Sequence, residues 1–576
     1  MFTLFKRFLR PYAGQVVLLI TFQIIQTCGT LFLPDLNADI INNGVVKGDQ
    51  GYVWTYGSIM LAIAILQSVF QIGAIYLGTR TALKFGRDIR TALFTKVQNI
   101  SEYEVAVFGA PSLITRETND INQVQMMVMF LFTIIVSSPM MLIGGVFFAL
   151  RQDVELSLVF VTVIPVLLIV IGIFFWIVMP LFKRMQKLID RVNLILREQI
   201  NGVRPIKAFV REATERSRFA ATNSELTEVN YRVGRMIAFI MPFFFMIVNL
   251  TTAAILGFGG NMIDAGTMEI GALTAFITYT MFILMSVMMA TMLLFIMPRA
   301  SVSAKRILGV LNIGTTVVDA AAPIAAPEVV NRLEYRDVGF YYKGAQAPVL
   351  EKINFQASAG DVVAIVGATG SGKSTIIKML PRLFDASMGE ILINDIDIKR
   401  FPLADLRNLI GFVPQAAFLF AGTVGENLLF GKLEASDEEC IEALKLVSAL
   451  DFLDEKHPLD DLVDQGGDNF SGGQKQRLAM ARALIRQPQI LMLDDSYSAL
   501  DANTERVIRD NLKANHRGIQ IVVSQKISSV QNAQLILVLD HGTIVGSGTH
   551  EQLLADNSTY QEIFDSQKHL GADFDA

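Results

Sequence analysis

The chain has 576 residues, of which 52% are hydrophobic and only 18% are charged, and its mean hydropathy is +0.44. A soluble protein of this length does not need so much apolar material, so much of the chain is expected to face lipid. The two cysteines, Cys28 and Cys440, are too far apart for a disulfide framework or a cysteine-based metal cluster, and we expect each to be a small buried residue. The net charge of −5 is mild, and no nucleic-acid partner is expected.

The N-terminus opens with basic and apolar residues, as a signal peptide does. The apolar run that follows, from about residue 15 to 34, is too long for a signal peptide, and no small-residue cleavage site follows it. Residues 1–13 are therefore predicted to form a short amphipathic helix on the cytoplasmic surface that leads into a first membrane span.

Six windows are long and apolar enough to cross a bilayer. They lie near residues 15–34, 57–78, 129–150, 156–180, 236–262 and 272–297. Residues 79–125 contain 6 Lys and Arg and residues 181–235 contain 12, whereas the alternate loops hold only Lys47 and Arg151. This asymmetry predicts that both long loops, the N-terminus and the C-terminal half are cytoplasmic.

The two long loops lack linker composition and are predicted to continue the spans as helices. Each contains one break, at residues 108–112 and 201–205, where Gly and Pro turn the chain between two helices. A short element at each tip is expected to dock onto a soluble domain, and a plain surface loop is the alternative.

Polar residues are sparse within the spans, and the last span is rich in methionine. The polar residues are Gln23, Gln26, Gln67, Gln71, Asn249 and Thr251. They are expected either to hydrogen-bond between helices or to line a cavity. The methionines are Met281, Met285, Met288, Met289, Met292 and Met297. Methionine adapts to irregular shapes, so they suit either a polyspecific binding surface or ordinary helix packing.

The composition changes after Ala300. Residues 313–328 combine small residues with two prolines, which is typical of a linker. From about Val329 strands alternate with helices, which predicts an α/β domain with a largely parallel sheet. We therefore divide the chain into a membrane domain over residues 1–312, a linker over 313–328 and a soluble domain over 329–576.

The strongest local signal is a glycine-rich phosphate loop between a buried strand, 362–366, and a helix. Its residues are Gly367, Ala368, Thr369, Gly370, Ser371, Gly372, Lys373, Ser374 and Thr375. The glycines let backbone N–H groups curl round the phosphates of ATP. Lys373 would bring a positive charge to the β- and γ-phosphates, and Ser374 would offer its hydroxyl to Mg²⁺.

Two further segments complete a nucleotide-binding pattern. Strand 490–493 ends in Asp494, and a carboxylate at that end of a strand beside the phosphate loop suits a Mg²⁺ contact. The run Ser471, Gly472, Gly473 and Gln474 opens a helix-prone stretch and forms a second anion site. Two phosphate-binding helix starts in one domain imply that the second serves a different ATP.

In this order, a membrane domain, a phosphate loop, a Ser-Gly-Gly-Gln segment and a strand ending in Asp resemble an ABC transporter of the exporter type. The resemblance covers essentially the whole chain. It implies a membrane all-α six-helix exporter domain fused to a cytoplasmic α/β phosphate-loop ATPase domain. It also implies that two nucleotide-binding domains sandwich two ATP molecules, each between one chain's phosphate loop and the other chain's signature segment.

The resemblance assigns roles to further residues. Tyr342 resembles the aromatic that stacks on adenine, and Gln415 the glutamine that senses Mg²⁺ and the membrane domain. Ser471 to Gln474 resemble the signature, with Phe470 in place of the usual leucine, and residues 498–501 resemble the loop that crosses to the other site. The tips near 108–115 and 202–209 resemble coupling helices. Ser374, Gln415 and Asp494 would contact Mg²⁺.

Two departures from the family pattern concern hydrolysis. Asp495 stands where the family has the Glu that positions the attacking water, and its side chain is one methylene shorter, a misplacement that can cost about 100-fold in rate. Gln525 stands where the family has a histidine on the γ-phosphate, and an amide cannot become cationic. Gln465 also replaces a usual Glu. Together they indicate a site that binds ATP but hydrolyses it slowly or not at all.

The intact phosphate loop and signature suggest one subunit of a heterodimeric bacterial multidrug-type exporter. A different half-transporter with Glu and His would supply the competent site, and the pair would export hydrophobic or amphipathic compounds across the bacterial plasma membrane. A slow homodimeric exporter is the first alternative. A nucleotide-gated channel or regulator is the second, although the spans hold almost no charges.

Overall fold

The structure is a computed structural model that describes residues 1–342 and 344–568. Contacts between residues group the chain into two units. One unit contains Met1–Gln98 and Pro111–Asn312, and the other contains Asn99–Ala110 together with the chain from Ile313 onward. A short piece of the first long loop therefore folds with the C-terminal unit.

The first unit and the loop piece are helical throughout. The α-helices are α1 (Phe2–Phe8), α2 (Ala13–Asp39), α3 (Gln50–Asn99), α4 (Glu102–Phe108), α5 (Ala110–Thr115), α6 (Ile121–Ile134), α7 (Ser137–Gln152), α8 (Val154–Asn201), α9 (Val203–Ala208), α10 (Glu212–Asp264) and α11 (Ile270–Leu311). In the described residues, six helical stretches are long and apolar enough to cross a membrane: Arg10–Val45, Gln50–Asn99, Ala110–Gln152, Val154–Asn201, Glu212–Asp264 and Ile270–Leu311. The predicted six-helix membrane domain is confirmed.

The break in the first long loop lies within the expected residues 108–112. The turn lies at Gly109, whose φ of +75° suits glycine, and residues 110–115 continue into the third span. The separate short helix is α4, which precedes the glycine and begins with a capping box between Ser101 and Glu104. The first docking element is thus shifted toward the N-terminus of the predicted tip at 108–115.

Two of the polar residues in the spans, Gln23 and Gln67, bond between helices. The Gln23 amide donates to the carbonyl of Phe132 on α6, and the Thr30 hydroxyl donates to Gln67 on α3 at 2.9 Å. For Gln23 and Gln67 this supports the interhelical role over the cavity role.

The two cysteines differ in exposure. Cys440 is buried as expected, but Cys28 is exposed, because it lies on a face of α2 that its own unit does not cover.

The second unit contains the strands. They are β1 (Arg332–Phe340), β2 (Leu350–Ser358), β3 (Val362–Gly367), β4 (Met388–Ile393), β5 (Ile396–Asp397), β6 (Ile410–Val413), β7 (Gly422–Thr423), β8 (Leu462–Val463), β9 (Ile490–Asp494), β10 (Ile519–Val523), β11 (Leu535–Asp540) and β12 (Thr543–Gly548). Its helices are α12 (Lys373–Met379), α13 (Leu403–Asn408), α14 (Val424–Leu429), α15 (Asp437–Leu446), α16 (Gly472–Leu484), α17 (Ala502–Asn515), α18 (His550–Asp556) and α19 (Ser558–Lys568).

The main sheet has the strand order β12-β11-β3-β10-β9-β6 and is parallel except for the edge strand β12. A four-stranded antiparallel sheet, β2-β1-β4-β5, lies in the same unit. Successive residues of β3 pack into two different apolar cores: Ala364 and Val366 into one, Val363 and Ile365 into the other. Burial on both faces explains why the central strands are apolar without alternation.

Helix α4 and the linker pack within this second unit. Tyr103 lies against the apolar core, and Glu102 pairs with Lys378 of α12 at 2.7 Å. The carboxylate of Glu104 accepts from the backbone N–H of Thr316 at 3.1 Å. Hydrogen bonds from Ser101 and Thr316 outweigh the opposing effect of burial and lower the pKa of Glu104. Helix α4 is therefore tied to the helix that follows the phosphate loop.

Candidate nucleotide-binding site

Four neighbouring strands of the parallel sheet end at one edge, and a candidate residue follows or ends each of them. Strand β10 pairs with β3 on one side and with β9 on the other, and β9 pairs with β6. The phosphate loop follows β3, Gln525 follows β10, Asp494 ends β9, and Gln415 follows β6. Ligands of open α/β sheets bind at this carboxyl edge.

The loop after β3 wraps round its own lysine. The Nζ of Lys373 donates to the carbonyls of Gly367 and Ala368, both at 2.8 Å. A Cβ on Gly372 would lie 2.6 Å from a methyl of Leu350, and the φ of this glycine is +103°. The close approach and the left-handed backbone together require glycine at this position.

A cavity of about 230 Å³ opens at this edge of the sheet. Its lining consists of Val349, Thr369, Gly370, Gly372, Lys373, Ser374, Thr375, Gln415, Asp494, Asp495, Val523 and Gln525. Apart from Val349 and Val523, every lining residue was a candidate from the sequence. The structure thus brings together the phosphate loop, the acidic pair and both glutamines.

The polar groups beside Lys373 suit a magnesium ion. The hydroxyl of Ser374 donates to Asp494 at 3.2 Å, and Asp494 is 3% exposed. Hydroxyl, carboxylate and amide oxygens are the hard ligands that Mg²⁺ takes in nucleotide sites. The buried hydroxyl of Ser371 has no hydrogen-bond partner among the described residues. The donor set therefore fits a metal–nucleotide complex held by Ser374, Asp494 and Gln415.

Burial also shifts the pKa values of two groups in this region. It raises the pKa of Asp494, an effect that the hydrogen bond from Ser374 opposes. It lowers the pKa of Lys373, while the nearby carboxylates of Asp495 and Asp494 act in the other direction. A lysine and an aspartate that are both costly to keep ionised favour a ligand bearing negative phosphates and a cation.

Asp495 is held differently from its neighbour. Its φ is +49°, in the left-handed region, and its backbone N–H donates to the Val523 carbonyl at 2.9 Å. Oxygen Oδ2 accepts from the amide of Gln415 at 3.3 Å and from the amide of Gln525 at 3.2 Å. Two side-chain amides therefore converge on the same carboxylate oxygen, and the side chain is 8% exposed.

The signature segment lies outside this cavity. The side chain of Ser471 caps α16 by accepting from the Gln474 N–H at 3.3 Å, and the Gln474 side chain accepts from the Ser471 N–H at 2.8 Å. Ser471 and Gly472 are exposed. A Cβ on Gly473 would lie 2.8 Å from the carbonyl of Ala499, so the signature packs closely on the loop 498–501. The described cavity is lined without it.

Tyr342 also lies outside the cavity lining. Its ring meets Phe340 and Phe384 edge-on, with centroids 4.9 Å and 5.8 Å away, and it is 37% exposed. Adenine stacking by this residue stays a prediction.

A contact that the motifs did not indicate comes from Gln476, whose amide donates to the Gln415 carbonyl at 3.2 Å. The available signal was a lone glutamine on an otherwise apolar, buried face of α16.

Comparisons with known proteins agree with this arrangement. The family described as "ABC transporter transmembrane region" matches residues 16–287, and the family described as "ABC transporter" matches residues 350–498. An uncharacterised ABC transporter ATP-binding protein of Mycobacterium tuberculosis is 41% identical over 572 residues, covering 98% of each chain. A probable multidrug resistance ABC transporter ATP-binding/permease protein of Bacillus subtilis is 31% identical and covers 99% of this chain and 97% of its own.

Further matches extend to a flippase and to a solved structure. An ATP-dependent lipid A-core flippase of Syntrophus aciditrophicus is 31% identical over 83% of this chain and 80% of its own. The structure of a bacterial Atm1-family ABC exporter with ATP bound superposes with a TM-score of 0.77 at 23% identity. The superposition covers 97% of this chain and 98% of the exporter chain. At that identity the match concerns the fold.

Proposed function

The chain belongs to the ABC transporters of the exporter type, and we propose that it is one half of a heterodimeric exporter whose own nucleotide site hydrolyses ATP weakly. In this proposal the chain grips Mg·ATP with Lys373, Ser374 and Asp494. It lends its exposed signature, Ser471 to Gln474, to an ATP bound by a different half-transporter. That companion carries Glu and His at the positions of Asp495 and Gln525.

The observation that carries the proposal is the bonding of Asp495. A general base must reach the attacking water with a free lone pair at a suitable distance. Here one carboxylate oxygen already accepts from both Gln415 and Gln525, and the side chain is one methylene shorter than glutamate. The amide at residue 525 satisfies the carboxylate but cannot supply a positive charge to the transferring phosphate.

The last span supports the proposed substrate class. Met281, Met285, Met289 and Met292 of α11 are spaced by three or four residues and are between 36% and 53% exposed in the single chain. The opposite face, with Ile283 and Leu284, is fully buried. A flexible apolar stripe that its own unit leaves uncovered suits hydrophobic or amphipathic compounds of varied shape. The proposed location is a bacterial plasma membrane, with the nucleotide-binding unit in the cytoplasm.

The decisive experiment measures ATP hydrolysis by the chain alone and by the chain purified with its companion half. We expect brisk hydrolysis only from the pair. Asp495→Ala should lower the rate of the pair by less than about twofold, whereas removing the companion's glutamate should cost about 100-fold or more. Asp510→Ala, which replaces an exposed aspartate outside the cavity, is the matched control.

The opposite outcome would be rapid hydrolysis by the isolated chain that Asp495→Ala abolishes. Slow hydrolysis by a homodimer would instead favour the first alternative, and the mass of the purified particle separates the two. Proteoliposomes that contain the pair test the rest: ATP-dependent movement of an amphipathic fluorescent dye supports export. ATP-dependent ion current without dye transport would indicate a channel.

A further inference from the structure

The last described helix, α19, makes a specific contact with the segment that carries Gln525. The amide nitrogen of Gln567 donates to the backbone carbonyl of Gln525 at 2.7 Å. The amide oxygen of the same side chain accepts from the backbone N–H of Ile527 at 2.9 Å. One side chain thus satisfies a carbonyl and an N–H that lie two residues apart. We call residues 524–527 the switch segment.

Helix α19 is itself firmly placed. Tyr560 is fully buried, and Ile563 and Phe564 pack against the same apolar core as Ile527. The hydroxyl of Tyr560 lies 2.8 Å from Nδ1 of His550. Residues 560, 563, 564 and 567 follow one face of the helix, so the apolar stripe ends in a glutamine where it meets the switch segment.

Other restraints on the switch segment lie on either side of Gln525: the Ser524 N–H donates to the Ile365 carbonyl at 3.2 Å. The Ser524 hydroxyl forms a local turn by accepting from the Lys526 N–H at 3.0 Å, and Ile527 is buried. Gln525 itself is exposed, lines the nucleotide cavity and reaches Asp495. The bond from Gln567 fixes the peptide group from which the Gln525 side chain extends.

We infer that Gln567 is a positioning residue for the nucleotide site: it holds the switch segment so that the side chain at residue 525 points into the cavity. The C-terminal helix thereby acts on bound ATP without touching it. This inference goes beyond the proposed function, because it holds whether the site hydrolyses ATP or only retains it.

The test compares three variants of the full-length chain in lipid nanodiscs, with Mg·ATP affinity and the dissociation rate of a fluorescent ATP analogue as readouts. Gln567→Ala removes both bonds and should weaken binding about three- to tenfold, with faster dissociation. Gln567→Glu keeps the acceptor for Ile527 but places a carboxylate beside the Gln525 carbonyl, and should weaken binding as well. Gln561→Ala is the matched control, since Gln561 lies on the same helix and bonds to Leu554 instead.

A double-mutant cycle separates positioning from general damage to the domain. In a Gln525→Ala background there is no side chain to place, so Gln567→Ala should then change affinity and dissociation by less than about 1.5-fold. The inference is overturned if Gln567→Ala and Gln567→Glu behave like Gln561→Ala, or if their effects are as large without the Gln525 side chain. If the isolated chain turns out to hydrolyse ATP, the proposed function fails while this cycle still decides the inference.

Discussion

The two ends of the nucleotide cavity lie at the same edge of the parallel sheet but differ in their hydrogen bonding. At the phosphate-loop end, Lys373 donates only to backbone carbonyls of its own loop, and Ser371 keeps a buried hydroxyl with no partner among the described residues. At the other end, the amide of Gln525 donates to the carboxylate of Asp495. The first end is open to a phosphate, whereas the polar groups of the second already satisfy one another.

In the proposed function, this difference separates ATP binding from ATP hydrolysis within one site. Binding requires charge and N–H groups aimed at the phosphates, and these come from the loop after β3. Hydrolysis also requires a free base and a positive group whose interaction with the transferring phosphate becomes stronger in the transition state. Changing two side chains at the ends of β9 and β10 affects only the second requirement, because the loop after β3 stays intact.

The largest expected effect comes from a substitution at the phosphate-loop end of the cavity. Lys373→Ala removes the cation that would face the β- and γ-phosphates, and charge-assisted hydrogen bonds are the strong ones. We expect Mg·ATP affinity of the purified chain to fall about 100-fold or more, measured by calorimetry. Lys513→Ala removes an exposed lysine of α17 and should leave the affinity unchanged. Equal affinity in the two variants would show that nucleotide binds elsewhere.

An intermediate effect is expected from substitutions at the other end of the cavity, where Asp495 and Gln525 lie. Asp495→Glu together with Gln525→His restores the family pattern, giving the carboxylate its extra methylene and residue 525 a group that can become cationic. We expect the steady-state ATPase rate of the chain to rise about tenfold or more, since a positioned base contributes on the order of 100-fold. Mg·ATP affinity should change little, because the open end is untouched.

The single replacements sharpen this experiment. Asp495→Glu alone leaves the amides of Gln415 and Gln525 on the carboxylate, and glutamate tolerates a φ of +49° less well than aspartate. Gln525→His alone leaves the short side chain. Each single replacement should therefore raise the ATPase rate less than the double variant does, and the two replacements should show a positive coupling. A double variant no faster than the original chain would mean that residues 495 and 525 do not limit the ATPase rate.

Much of the fold could be read from the sequence because its signals are local and strong. The long apolar windows predict the six spans, since no other environment accommodates about 20 consecutive apolar residues each. The phosphate loop between β3 and α12 is equally clear, because glycine, lysine and serine occur there at a spacing that the phosphate chemistry requires. The strand ends then place Asp494 and Gln525 at the same edge of the parallel sheet.

Other features depend on partners distant in sequence and were missed. The exposure of Cys28 reflects which face of α2 its neighbours cover, and composition does not report this. The placement of α4 depends on Glu104 meeting the N–H of Thr316, more than 200 residues away. The contact of Gln567 with the switch segment is of the same kind, because a glutamine at the end of an amphipathic helix has many possible partners.

The smallest expected effect is the pH dependence of Mg²⁺-dependent ATP affinity, which tests whether Asp494 at the phosphate-loop end binds the metal. Asp494 must be ionised to hold Mg²⁺, so protons compete with the metal. Burial raises the pKa of Asp494 and Asp495 adds to this rise, while the hydrogen bond from Ser374 and the charges of Lys378 and Lys373 lower it. The net rise means that Mg²⁺-dependent affinity for ATP should weaken as the pH falls, beginning above the ordinary range of aspartate.

The measurement is the ratio of ATP affinities with Mg²⁺ and with a chelator, followed from pH 7.5 down to about 5 in the wild-type chain and in Asp494→Asn. ATP itself takes up a proton in this range, but it does so equally for both proteins, so the difference between them isolates Asp494. We expect the ratio to fall about two- to fivefold in the wild type and to stay small and flat in the variant. An equal pH dependence in both would show that the metal is held without this carboxylate, and the contrast between the two ends would then rest on Lys373 and the loop alone.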